Sequence, residues 1–297
     1  MVNVEEGHVP FLGHRTWYRS VGEASDPARL PVLTVHGGPG ATHAALEPLE
    51  ALAEDGRRVV FYDQLGCGRS DRPREPVTWS IPLFLGELAA VRRALGLGRL
   101  HVLGHSWGGV LAMEHLLAGG DGVRSLVLAS SPMNAWQWTQ EARRLRARLP
   151  APVRRTLELH EAGGTVGDDA YLGAMLEYQR RHVCRLEPWP ACVGESMLRL
   201  RDDPRVHDAM YGPSEFDVTG SLRGWDVIER LPELRLPVLV TSGRHDAATP
   251  AIARTAYRRI AGARWALFGR SAHLAHVEET GAYVGLVRRF LDEVEAG

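Results

Sequence analysis

Six short apolar, β-branched runs recur along the chain, each stopped by a turn and alternating with longer stretches of helical pattern. The runs are Val32 to His36, Arg58 to Asp63, Leu100 to Gly104, Ser125 to Ser130, Val238 to Ser242 and Arg264 to Phe268. Strands and helices alternating in this way bury their apolar residues best as a mostly parallel sheet with helices on both faces. Such sheets take their ligands beyond the carboxyl ends of the strands. Every chemically suggestive motif in this sequence begins where one of the runs stops.

The alternation breaks off between Pro132 and about Leu231. This stretch holds no clear strand, only helix-like segments interrupted at Pro150, Gly163-Gly164, Pro188, Pro190, Pro204 and Pro213. A chain of 297 residues has room for one α/β domain with an insertion. The expected division is therefore a core from 1–131 and 232–297, with a helical cap from 132–231 over the sheet's carboxyl edge. Trp136, Trp138, Trp189 and Trp225 fall in this cap. Most of them are expected in its own core, with one or two forming an apolar wall towards a site.

Gly104-His105-Ser106-Trp107-Gly108 fits the G-x-S-x-G pattern directly after the run Leu100 to Leu103, and Val110 to Leu117 then reads as a helix. Flanking glycines permit a tight strand-to-helix turn that lifts the serine hydroxyl above the sheet. The helix's amino end favours negative charge developing nearby. A nucleophilic serine needs a base, and the base an orienting acid, which in the α/β-hydrolase fold follow in the order Ser, acid, His. Asp246 in Gly243-Arg244-His245-Asp246 and His273 in Gly269-Arg270-Ser271-Ala272-His273 stand just past strand ends, where that geometry wants them. His276 is the competing base. His105 and His245 read as packing or supporting residues, and Asp202, Asp203, Asp217 and Asp226 as solvated or hinge residues of the cap. His36-Gly37-Gly38-Pro39-Gly40 follows the first of the runs, where this fold places an oxyanion loop. The expected donors are the amides of Gly38 and Trp107, with Gly37 the competitor for the first.

Composition removes several other classes. Formal net charge is −1, which leaves no electrostatic footprint for nucleic acid or an anionic membrane surface. All 35 basic residues are arginine, scattered through amphipathic stretches as solvated faces are. No run of about 18 apolar residues is long enough to span a membrane. Cys67, Cys184 and Cys192 have neither disulfide-framework nor zinc spacing, and no phosphate-binding glycine loop of the G-x-x-x-x-G-K or G-x-G-x-x-G type is present. The segment Met1 to Pro10 is polar and acidic, unlike a secretory leader. The expectation is a cytoplasmic protein without metal or organic cofactor.

Taken together, these residues resemble the proline iminopeptidases over nearly the whole chain. HGGPG at His36 to Gly40, FYDQLGCGRS at Phe61 to Ser70 and GHSWGG at Gly104 to Gly109 are similar to that family's motifs. More specific is Tyr211-Gly212-Pro213-Ser214-Glu215-Phe216 with Gly224-Trp225-Asp226, which resembles a cap segment other α/β-hydrolases do not share. The resemblance implies removal of one residue from a free amino end of a short peptide or small molecule, with Glu215 holding the substrate's ammonium. A cation buried under a cap is tolerable only opposite a carboxylate, so this assignment has a physical reason. Some members carry a second glutamate directly after the triad aspartate; here that position is Ala247. Others of the family strip an aminoacyl group from an amine in polyketide pathways, and a Trp-rich cap suits an apolar leaving amine. The competing readings are an esterase or lactonase, which has no use for Glu215, and a hydrolase-like receptor, which usually lacks a triad member.

Overall fold

The structure, a computed structural model, describes residues 3–23 and 28–297. Its frame is one sheet of eight strands: β1 (Val4–Phe11), β2 (His14–Val21), β3 (Val32–Val35), β4 (Val59–Tyr62), β5 (Leu100–His105), β6 (Val123–Ala129), β7 (Val238–Gly243) and β8 (Arg264–Phe268). They lie in the order β1-β2-β4-β3-β5-β6-β7-β8. β3 to β8 pair in parallel, whereas β2 meets both β1 and β4 antiparallel. The β1–β2 hairpin extends the sheet beyond the six strands expected from sequence. It turns through Leu12-Gly13, both with positive φ, and its β1 strand is half solvated, so it carries no continuous apolar run.

β3, β4, β5 and β7 are fully buried because their side chains enter one of two cores, β6 is buried after its first two residues, and β8 is a part-exposed edge. Leu33, Val60, Val102, Leu126 and Val240 point to one face, against Phe84 and Leu88 of α1 (Ile81–Ala94), Leu111 of α2 (Trp107–Leu117) and Ile252 of a later helix. Their neighbours Val32, Phe61, Leu103, Val127 and Leu239 point to the other face, against Leu46 and Leu49 of the 3-10 segment His43–Asp55 and Val287 and Phe290 near the C-terminus. This period-two alternation into two apolar layers is what fixes strand register.

Between β6 and β7 only helices occur: α3 (Ala135–Arg146), α4 (Ala151–Gly163), α5 (Asp169–His182), α6 (Ala191–Asp202), α7 (Arg205–Met210) and the 3-10 turn Ile228–Glu233. Their breaks follow the local chemistry. Pro150, Pro190 and Pro204 stand immediately before α4, α6 and α7, and Gly164 ends α4 with φ 67°. Leu145, Leu157, Met175 and Phe216 form a separate core for this segment. Both ends of the segment are joined beside the sheet: Asn134 bridges Asp226, and the Ala135 amide donates to the Trp225 carbonyl at 2.9 Å. Three more helices, α8 (Pro250–Arg259), α9 (Ala275–Glu278) and α10 (Thr280–Ala296), complete the chain. Among the described residues no helix is long and apolar enough to cross a membrane.

Candidate active site

Ser106 joins β5 to α2 with φ 53° and ψ −119°, a conformation costing an ordinary side chain about 1–3 kcal/mol. The glycines around it have a steric reason. A Cβ on Gly108 would lie 2.0 Å from the Val35 carbonyl oxygen, and one on Gly104 would lie 2.4 Å from that of Gly108. Only glycine lets α2 approach β3 and β5 this closely. The turn thereby holds Ser106 at the amino end of α2, above the carboxyl edge of the sheet.

Asp246 and His273 lie past β7 and β8 on the same edge. The His273 Nδ1–H donates to Asp246 Oδ1 at 2.7 Å. Three other donors hold the carboxylate: the Ala248 amide on Oδ1 at 2.7 Å, and Ser130 Oγ at 2.6 Å and the Gly243 amide at 3.2 Å on Oδ2. The acid cannot turn away from the imidazole without breaking several bonds. The His273 ring stands between Trp138 and His105, with centroids 6.2 Å and 4.7 Å away. Its second nitrogen is left for the cavity that Ser106 and His273 both line.

The competing histidines are elsewhere engaged. His276 is buried, donates Nε2–H to the Ala45 carbonyl at 2.8 Å, and is pushed by burial down to about 4. His105 donates to the His273 carbonyl at 3.0 Å; burial and the neighbouring His273 and His276 hold its pKa well below the usual range. The His245 backbone carbonyl accepts from His182. Of the four aspartates, Asp202 is exposed, Asp203 pairs with Arg72 and Arg205, Asp217 with Arg143, and Asp226 accepts from Asn134.

The amides of Gly37, Gly38 and Trp107 find no acceptor among the described residues. Gly38 has φ 110°, a backbone conformation that favours glycine. Gln64 fastens this loop to the serine turn. Its side-chain amide donates to the His36 carbonyl at 3.1 Å and its oxygen accepts from the Trp107 indole at 2.8 Å. The Gln64 backbone amide adds a bond to His36 Nε2 at 3.0 Å.

Two chambers meet at Ser106, sharing Gly38, Trp138 and Tyr211. One is apolar, walled by Val110, Val218, Leu222 and Trp225. The other is lined by His273, Tyr178, Ala247 and a single carboxylate, Glu215. Glu215 is half-buried, and no donor among the described residues reaches its carboxylate; the nearby Arg146 pairs with Glu161 instead. Of the four tryptophans of the helical segment, Trp138 and Trp225 reach the chambers, Trp189 packs at the Cys184 carbonyl and Trp136 is exposed. No group of three or more His, Cys, Asp or Glu among the described residues is arranged to hold a metal ion.

Residues 31–280 match the α/β-hydrolase fold family. A proline iminopeptidase of Lactobacillus helveticus is 36% identical over 296 residues, covering 98% of this chain and 99% of its own. The crystal structure of a Mycobacterium smegmatis proline iminopeptidase is 40% identical with a TM-score of 0.90, covering 98% and 99% of the two chains. The chain belongs to the proline iminopeptidase family. It is an enzyme of that family, a hydrolase with the α/β-hydrolase fold. The crystal structure of VinJ is equally near, 39% identical with a TM-score of 0.94 over 98% and 99% of the chains.

Three residues of this proline iminopeptidase-family site escaped the sequence. Gln64 lies inside FYDQLGCGRS, a stretch that matched the family without suggesting a task. Ser130 follows β6 with φ 50°, and its partner Asp246 is 116 positions away. Tyr178 is one of many apolar positions on α5, and nothing local marks it.

Proposed function

We propose that this enzyme removes an amino-terminal aminoacyl group from an amide through an acyl-enzyme on Ser106. The observation that carries the reading is the Glu215 carboxylate, unpaired and half-buried in the chamber that Ser106 and His273 line. A carboxylate left without a partner in such a place is matched by a substrate cation, and an α-ammonium is the cation an aminopeptidase meets. The segment 132–231 then acts as the cap that selects the amino end.

In this mechanism Ser106 Oγ attacks the carbonyl and passes its proton to His273 Nε2. Asp246 holds the imidazole in the tautomer with hydrogen on Nδ1 and stabilises the imidazolium. The Gly38 and Trp107 amides receive the oxyanion; Gly38 lines both chambers, which favours it over Gly37. His273 returns the proton to the leaving amine, then activates the water that releases the free amino acid and Ser106. Glu215→Gln is expected to impair free-amino substrates by about 2–5 kcal/mol, the range for removing one member of a buried charge pair. A small ester without an amine should change little. Equal loss on both substrates would give Glu215 a folding role and would favour an esterase.

The leaving group is proposed to be an apolar amine, of the kind a polyketide intermediate offers, more readily than a peptide. Ala247 removes one charged anchor, and such a contact is worth about 1.5–3 kcal/mol. The apolar chamber offers compensating area to a long amine. A panel of prolyl, alanyl and glycyl amides should show higher kcat/KM on long apolar amines than on the matching dipeptides. Ala247→Glu should narrow that gap by improving the peptides. Outright preference for prolyl peptides, with no gain from a longer apolar amine, would return the enzyme to ordinary proline iminopeptidase specificity.

A further inference from the structure

Tyr178, on α5, is 2% exposed, yet its hydroxyl has no hydrogen-bond partner among the described residues. Its ring is immobilised, edge-on to Phe216 with centroids 5.0 Å apart and against His182 at 5.1 Å. The residue lines the same chamber as Ser106, Glu215 and Ala247. Helix α5 is tied to that chamber's floor, since the Ala247 amide donates to the His182 carbonyl at 3.0 Å, one turn beyond Tyr178. Burial, and then the charges of Glu215 and Asp246, raise the Tyr178 pKa, so the hydroxyl remains protonated. A hydroxyl held rigidly at a chamber wall without a protein partner is free to bond a molecule that enters the chamber. The neighbouring Gln179 also lines the chamber but is only half-buried, and a mobile amide gives less orientation.

We infer that the Tyr178 hydroxyl is the second hydrogen-bonding partner of the substrate's α-amino group, a neutral dipole taking the place for which Ala247 offers no side chain. This rests on the reading of Glu215 as the ammonium's carboxylate. A phenol has one donor and two acceptor positions, so Tyr178 can receive an ammonium N–H while its own hydrogen points to Glu215. The amino-end site then carries one negative charge, and the bound ion pair is neutral. Substrates recognised in this way have an unblocked α-amino group with at least two N–H donors.

Tyr178→Phe, which removes only the oxygen, should raise KM about tenfold for alanyl and prolyl amides, the loss of one good hydrogen bond. Turnover of a small ester lacking an amine should stay unchanged, as should Tm. In the Tyr178→Phe background, Ala247→Glu should recover most of the lost affinity for free-amino substrates, a rescue that a merely structural role would not allow. Equal losses on ester and amino substrates, or no loss on either, would overturn the inference. If Glu215→Gln is selective for amino substrates while Tyr178→Phe is not, only the role of Tyr178 falls. If neither is selective, the reading of Glu215 falls and this inference with it.

Discussion

Replacing Ser106 with alanine is expected to abolish labelling by a fluorophosphonate and lower kcat by about 10⁶-fold, while aminoacyl amides still bind. The size follows from the geometry. The backbone at Ser106 is held at φ 53° between glycines that admit no side chain, so no neighbouring residue can move in to replace the hydroxyl. Ser130 and Ser131 are committed to Asp246 and to backbone carbonyls. Intact-mass measurement after labelling checks the first effect, and steady-state kinetics the second. Stoichiometric labelling of the variant at another serine would remove Ser106 from its proposed role.

His273→Ala should be nearly as damaging as loss of Ser106, because nucleophile, base and acid act as a unit. His276→Ala should leave most of the turnover and instead lower thermal stability. Its ring is buried against His105 and Tyr283, and its one strong hydrogen bond holds the Ala45 carbonyl. Burial also pushes its pKa down to about 4, which makes it a weak proton acceptor at neutral pH. Measured kcat and Tm for the two variants separate the roles; the reverse ranking would transfer the base to His276.

The parts of this molecule legible in its sequence are those with local causes. β3 to β7 are legible because burial makes them near-continuous apolar runs, and the part-exposed edge strand β8 because Trp265 to Phe268 is itself apolar. The helix breaks at Pro150, Pro190 and Pro204 are legible because proline dictates backbone locally. β1 and β2 were not, since β1 is a partly solvated edge and β2 buries Thr16 and Ser20 among its apolar residues, so neither forms an apolar run. At the site, Ser106, Asp246 and His273 can be picked out as candidates because each follows an apolar run within a turn motif. Ser130, Gln64 and Tyr178 cannot, because their partners are brought to them only by the fold. Glu215 falls between these cases: its segment was recognisable as family-like, but the absence of a protein partner for its carboxylate is visible only in three dimensions.

Recognition of a free amino group while Ser106 attacks the adjacent carbonyl is the central proposal. Its most direct test is the ratio of kcat/KM for an alanyl amide to that for the isobutyryl amide of the same amine, in which a methyl replaces the ammonium. The predicted ratio is at least about 30, the lower limit expected when a buried carboxylate loses its cation. A ratio near unity, with both amides cleaved at Ser106, would contradict it and leave a serine hydrolase indifferent to the amino end.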